Sequence, residues 1–111
     1  MNTTDHSALH NVAMELANEA LALRRQAKHL FEQAFEHEAA AARCHADRHD
    51  YEPTRSVLYR SAATLACDCG KLDEAERLAH EGLAGNPPKG IAEELRSVLW
   101  RIQWLREEPK P

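Results

Sequence analysis

Glycine and aromatic residues are scarce in this sequence. Only 4 of its 111 residues are glycine and 5% are aromatic, whereas alanine, leucine, glutamate and arginine are abundant. The abundant residues favour helices, and a sheet protein would carry more aromatic residues. We therefore predict an all-α fold, and a chain of this length is large enough for a single domain over residues 1–111 with one modest core.

Motifs for enzymatic chemistry are also missing. The sequence contains no nucleophile elbow, HExxH motif, dinucleotide fingerprint or P-loop. Four glycines leave little material for the loops that cradle phosphate groups. We therefore predict that the protein is not an enzyme and takes no cofactor.

The sequence lacks both an excess of basic residues and a long apolar run. Its formal net charge of −4 argues against non-specific binding to nucleic acid. No apolar run approaches the ~20 residues of a membrane span, and residues 1–6 lack the features of a signal peptide. We expect a cytoplasmic protein with no membrane partner, whose three cysteines are reduced thiols.

A helical hairpin is predicted over residues 53–86. Pro53 fits the first turn of a helix, Gly70 suits a helix C-terminus, and Asp73 is predicted to cap the second helix. Pro87 and Pro88 end the pattern. Small and apolar residues recur at helical spacing on both sides of Gly70, which predicts two buried stripes: Tyr59, Ala62, Ala63, Leu65 and Ala66, then Leu72, Ala75, Leu78, Ala79 and Leu83.

This hairpin resembles a tetratricopeptide repeat, a helix-turn-helix unit of about 34 residues. The residues that carry the resemblance are Tyr59, Ala62, Ala63, Ala66, Gly70, Leu72, Ala75, Ala79, Gly82 and Pro87. The family binds other proteins, and the first helix of each of its repeats lines a concave groove. The resemblance therefore implies a partner-binding surface at Arg55, Arg60, Thr64 and Asp68, where an arginine takes a carboxylate of the partner. Alternatively, Arg55 and Arg60 pair within the chain with Glu36, Glu38 or Glu52.

Residues 5–46 fit two interpretations. A first, degenerate repeat is one, because Leu9, Val12, Ala13 and Leu16 repeat the spacing of the second repeat. One continuous helix is the other, because no glycine or proline interrupts the segment and a 4–3 apolar spacing runs through it. That spacing comprises Leu9, Ala13, Leu16, Ala20, Leu23, Ala27, Leu30 and Ala34. A helix of this length would need a second chain to cover it.

A last helix is predicted over residues 89–106. Its apolar stripe consists of Ile91, Leu95, Val98, Leu99, Ile102 and Leu105, and the resemblance implies that it caps the repeats. Trp100 and Trp104 lie one turn apart and off this stripe. Because tryptophan is enriched at binding hot spots, we predict that they mediate self-association as a homodimer. The alternative is that the first repeat covers them.

Cys44, His45 and His49 form the densest cluster of potential metal ligands. On one helix, His45 and His49 would share a face and hold zinc, nickel or copper, which suggests a small metal-binding regulator. The cluster lacks paired CxxC spacing, so surface histidines and small thiols explain it more simply, and we predict no metal. The sequence favours a protein-protein interaction or scaffold module whose partner, a protein or peptide, it does not name.

Overall fold

The computed structural model describes residues 5–108. Within them the chain forms four α-helices and no strands, which confirms the all-α prediction. The helices are α1 (His6–Arg43), α2 (Thr54–Asp68), α3 (Leu72–Leu83) and α4 (Lys89–Glu107). None of the helices in this range combines the length and apolar character needed to cross a bilayer.

Helix α1 is a single helix of 38 residues. The predicted first repeat therefore does not form a hairpin. Of the two interpretations, the structure shows the continuous helix. The physical reason is local: no residue between His6 and Arg43 breaks a helix, so nothing stops the backbone hydrogen bonds from continuing. Asp5 caps its start, because the Asp5 carboxylate accepts the backbone N–H of Ser7 at 3.1 Å.

The contacts divide the chain into two units, with the boundary between Leu30 and Phe31. In the described part of the first unit, residues 5–30, every side chain is exposed except that of Ala8, which is half-buried. The second unit contains the end of α1 and all of α2, α3 and α4. The hydrophobic core of the protein lies in this second unit.

Small side chains allow the helices of the second unit to pack closely. The α2–α3 hairpin buries most of both predicted stripes, with Leu65, Leu72 and Leu83 partly buried, and α4 adds Leu95 and Ile102 to the same core. Phe35, Ala39 and Ala42 contribute from α1. Many of the buried positions are alanines, which bring the helix backbones near each other: Ala62, Ala63, Ala66, Ala75 and Ala79.

The turn between α2 and α3 is a Schellman motif. Gly70 has a φ of 74°, a left-handed conformation that favours glycine, and its N–H donates to the carbonyl of Cys67 at 3.0 Å. The N–H of Lys71 donates to the carbonyl of Ala66 at 2.9 Å. This motif leads straight into α3, so Lys71 occupies the N-cap position and the prediction of Asp73 as the cap is wrong. Asp73 lies instead in the first turn of α3.

Candidate functional site

Arg55 is a buried structural residue. Only 2% of it is exposed, and its guanidinium group donates five hydrogen bonds to four backbone carbonyls. Two of the carbonyls belong to His45 and Ala46, in the turn after α1, at 3.0–3.2 Å. The others belong to Glu81 and Gly82, in the last turn of α3, at 3.1 and 3.5 Å. A guanidinium engaged in this way is not available to bind a partner.

Neighbouring residues shape the space around Arg55. Its guanidinium carbon lies 4.8 Å from the ring centroid of Tyr59, one turn further along α2. Burial is the main reason why the pKa of Tyr59 is raised, and the nearby Glu81 acts in the same direction. A β-carbon at Gly85 would come within 2.5 Å of Nη1 of Arg55. The 4–3–4 spacing of Arg55, Tyr59, Ala62 and Ala66 is the sequence signal that places this arginine on the buried stripe.

The other three residues of the predicted groove, Arg60, Thr64 and Asp68, form ion pairs or hydrogen bonds within the second unit. Nη1 of Arg60 lies 2.6 Å from the Glu94 carboxylate, and Arg101 donates to Asp68 at 2.9 Å. Glu94 and Arg101 both belong to α4, so these ion pairs tie α2 to α4. Thr64 donates its hydroxyl hydrogen to the carbonyl of Arg60 at 2.9 Å. The intrachain partner of Arg60 is therefore Glu94, whereas the sequence suggested Glu36, Glu38 or Glu52.

Trp100 and Trp104 are exposed on α4. Their exposed fractions are 75% and 63%. Trp100, Arg96, Leu99 and Gln103 line a shallow open concavity of about 290 Å³. This surface offers an aromatic contact beside one arginine. The self-association predicted for the two tryptophans stays a prediction.

The candidate metal ligands do not converge. Cys44 and His49 are exposed, while the half-buried ring of His45 lies 4.9 Å from the ring of Tyr51. Across residues 5–108, no three histidine, cysteine, aspartate or glutamate side chains are grouped as a metal site would require. Burial raises the pKa of the Cys67 thiol, which disfavours the reactive thiolate form.

A longer surface lies on α1. We call it the α1 stripe and define it by seven residues of the first unit at 4–3 spacing: Leu9, Ala13, Leu16, Ala20, Leu23, Ala27 and Leu30. Its four leucines are each between 57% and 61% exposed. The three residues of α1 that are buried, Phe35, Ala39 and Ala42, do not belong to it. The stripe is therefore apolar surface left uncovered within the described chain.

Comparison of the chain with family models, curated proteins and solved structures found no match. The resemblance to a tetratricopeptide repeat accordingly rests on the residues of the α2–α3 hairpin alone. Among the described residues, the α1 stripe presents a row of four exposed leucines.

Proposed function

We propose that this protein is a non-catalytic interaction module that binds another protein by packing the α1 stripe against a helix. The observation that carries the proposal is the regular seven-residue spacing of the exposed leucines Leu9, Leu16, Leu23 and Leu30. A single exposed leucine needs no explanation, whereas a regular row of them on one helix is typical of a protein contact. Docking of an amphipathic helix through regularly spaced apolar anchors is a recurrent mode of recognition.

The helix of the first unit lacks the packing that would stabilise it, and this supports the same proposal. An isolated helix is marginal in water even with good helix formers, since most helical stability in proteins comes from packing of the apolar face. No side chain from 9 to 30 is buried, so this part of α1 lacks that contribution. Because each leucine is 57–61% exposed, covering it would contribute about 1–2 kcal/mol, which both stabilises the helix and drives association.

The second unit supplies a folded body on the same chain as this binding element. The buried Arg55 bonds the turn after α1 to the last turn of α3. The ion pairs of Arg60 and Asp68 join α2 to α4, so all three residues stabilise this body. The tetratricopeptide-like hairpin fits a scaffold role. Trp100 and Trp104 offer this body a second contact surface.

Affinity purification from the native host tests the proposal. We expect proteins retained by the wild type to be lost from a Leu16→Lys/Leu23→Lys variant. Met14→Lys/Leu21→Lys is the matched control, because Met14 and Leu21 are also exposed, seven residues apart and on the same helix, but outside the stripe. Equal retention of every captured protein by both variants, further copies of this chain included, would refute the α1 stripe as the binding element.

A Trp100→Ala/Trp104→Ala variant in the same experiment separates the two surfaces. Proteins lost only from this variant bind through α4, and proteins lost only from the α1 stripe variant bind through α1. Loss of proteins from the α1 stripe variant alone supports the proposed role of α1.

A further inference from the structure

We infer that the occupant of the α1 stripe is the α1 stripe of a second copy of this chain, running antiparallel to the first. In the register that we propose, Ala13 faces Leu30 of the second copy, Leu16 faces Ala27, and Ala20 faces Leu23. This inference rests on the proposed function, because it names the partner of the same surface. It is argued from the size of the facing side chains and from the distribution of charge along α1.

Side-chain size selects the direction of pairing. The leucines of the stripe recur every seven residues, and alanines recur every seven residues between them. A parallel pair would stack leucine on leucine and then alanine on alanine, so wide and narrow layers would alternate and the alanine layers would be underpacked. In the antiparallel register each layer contains one leucine and one alanine, so all layers have the same width and large residues face small ones.

The register follows from the same pattern. Sliding one copy along the other by seven residues also keeps leucine opposite alanine, but it shortens the overlap. The register proposed here gives every residue of the stripe an apolar counterpart, because it also sets Leu9 against Ala34, the next alanine of the series beyond the stripe. From Leu9 to Leu30 the stripe is about 32 Å long at 1.5 Å per residue.

The charge along α1 is complementary in the antiparallel direction. Glu15 and Glu19 lie in the first half of the stripe, whereas Arg24, Arg25 and Lys28 lie in the second half. The proposed register therefore places the acidic half of one copy alongside the basic half of the other, with Glu19 level with Arg24. In a parallel pair the like-charged halves would lie side by side, and only Glu19 would flank Arg24 of the second copy.

Light scattering after size-exclusion chromatography tests the dimer. We expect the wild type to have twice the 12.5 kDa mass of the chain, and the Met14→Lys/Leu21→Lys control to match it. Leu16→Lys/Leu23→Lys should be monomeric, with dimerisation weakened at least about 100-fold, because four charged groups would enter the seam of each dimer. A wild type that stays monomeric, a control that is monomeric too, or a variant that stays dimeric would overturn the inference.

Failure of the dimer inference can be distinguished from failure of the proposed function. If the wild type is monomeric while Leu16→Lys/Leu23→Lys still loses host proteins that the control retains, the second copy is not the partner but the binding element stands. If the two variants capture the same proteins and have the same mass, both proposals fail.

Disulfide cross-linking tests the direction. In a Cys44→Ser/Cys69→Ser background that retains the buried Cys67, Ala13→Cys and Leu30→Cys are made as two single variants and then mixed. The antiparallel register brings these two positions together, while two copies of position 13 are about 25 Å apart along the helix, too far for a disulfide. A mixed disulfide between the variants supports the register, and the background protein alone should give none. Disulfides within each single variant, or none in a sample that scatters as a dimer, would overturn it.

Discussion

Arg55→Lys should destabilise the second unit strongly although it conserves the positive charge. The wild-type guanidinium reaches two sets of carbonyls at once, those of His45 and Ala46 and those of Glu81 and Gly82. Its planar fork carries five N–H donors in fixed directions, whereas the lysine ammonium is a single nitrogen with three. A lysine at this position can reach only one set of carbonyls, so the other set loses the hydrogen bonds that Arg55 donates.

The magnitude follows from the bonds that would be lost. Of the five hydrogen bonds that Arg55 donates, at least two have no lysine counterpart, and each buried carbonyl left without a donor costs about 1–3 kcal/mol. We expect a loss of about 2–4 kcal/mol in the free energy of unfolding, which is a large part of the 5–15 kcal/mol of a typical domain. For a domain of this size, the melting temperature should fall by at least about 10 °C.

Thermal and urea unfolding followed by circular dichroism measure this effect. Arg60→Lys is the matched control, because Arg60 also lies on α2 but makes a partly exposed ion pair with Glu94, worth less than about 1 kcal/mol. Equal losses in the two variants would refute the reasoning, since they would show that the buried fork of Arg55 contributes no more than a surface charge.

Two further predictions concern packing and charge in the second unit, and denaturant unfolding measures both. Gly82→Ala should cost about 1–3 kcal/mol because its new β-carbon would lie 2.9 Å from Cβ of Tyr59, whereas Gly90→Ala meets nothing within 4 Å and should stabilise α4 by about 0.5 kcal/mol. Similar effects of the two substitutions would contradict the close approach at Gly82. Arg60→Glu should lose up to about 1 kcal/mol, and adding Glu94→Arg should restore most of it. A double variant no more stable than the single one would show that the pair does not interact in solution.

The hairpin was predictable because its signals are local. Pro53, Gly70 and Pro87 lie close to the helix ends that the structure shows, and the small residues between them have helical spacing. The cap of α3 was not predictable from Asp73 alone. The Schellman motif brings the chain into α3 directly, so the helix begins one residue before Asp73.

For α1, the helix propensity of the residues predicted the structure better than the resemblance to a tetratricopeptide repeat did. The repeat pattern required a turn near residues 19–26, but that segment holds only good helix formers and no glycine or proline. A tertiary contact would have been needed to break the helix there, and the side chains of that segment are all exposed. The 4–3 spacing was therefore the more informative signal.

The groove residues illustrate what sequence reasoning could not supply. Arg55 bonds to carbonyls of segments 9–27 residues away, and Arg60 and Asp68 pair with residues of α4 more than 30 positions further along the chain. Such partners depend on how the helices pack, which the local spacing does not specify. The resemblance to a tetratricopeptide repeat placed Arg55 on a partner-binding surface. Its spacing from Tyr59, Ala62 and Ala66 could have indicated that it is internal, but not what it binds.

Amide hydrogen exchange over residues 9–30, measured on the purified wild type at increasing protein concentration, tests the central claim most directly. If the α1 stripe binds a second copy, protection of these amides should rise with concentration, while protection of the α2 core around Tyr59 stays constant. Exchange of residues 9–30 that is as fast as in an unstructured peptide at all concentrations would contradict the account.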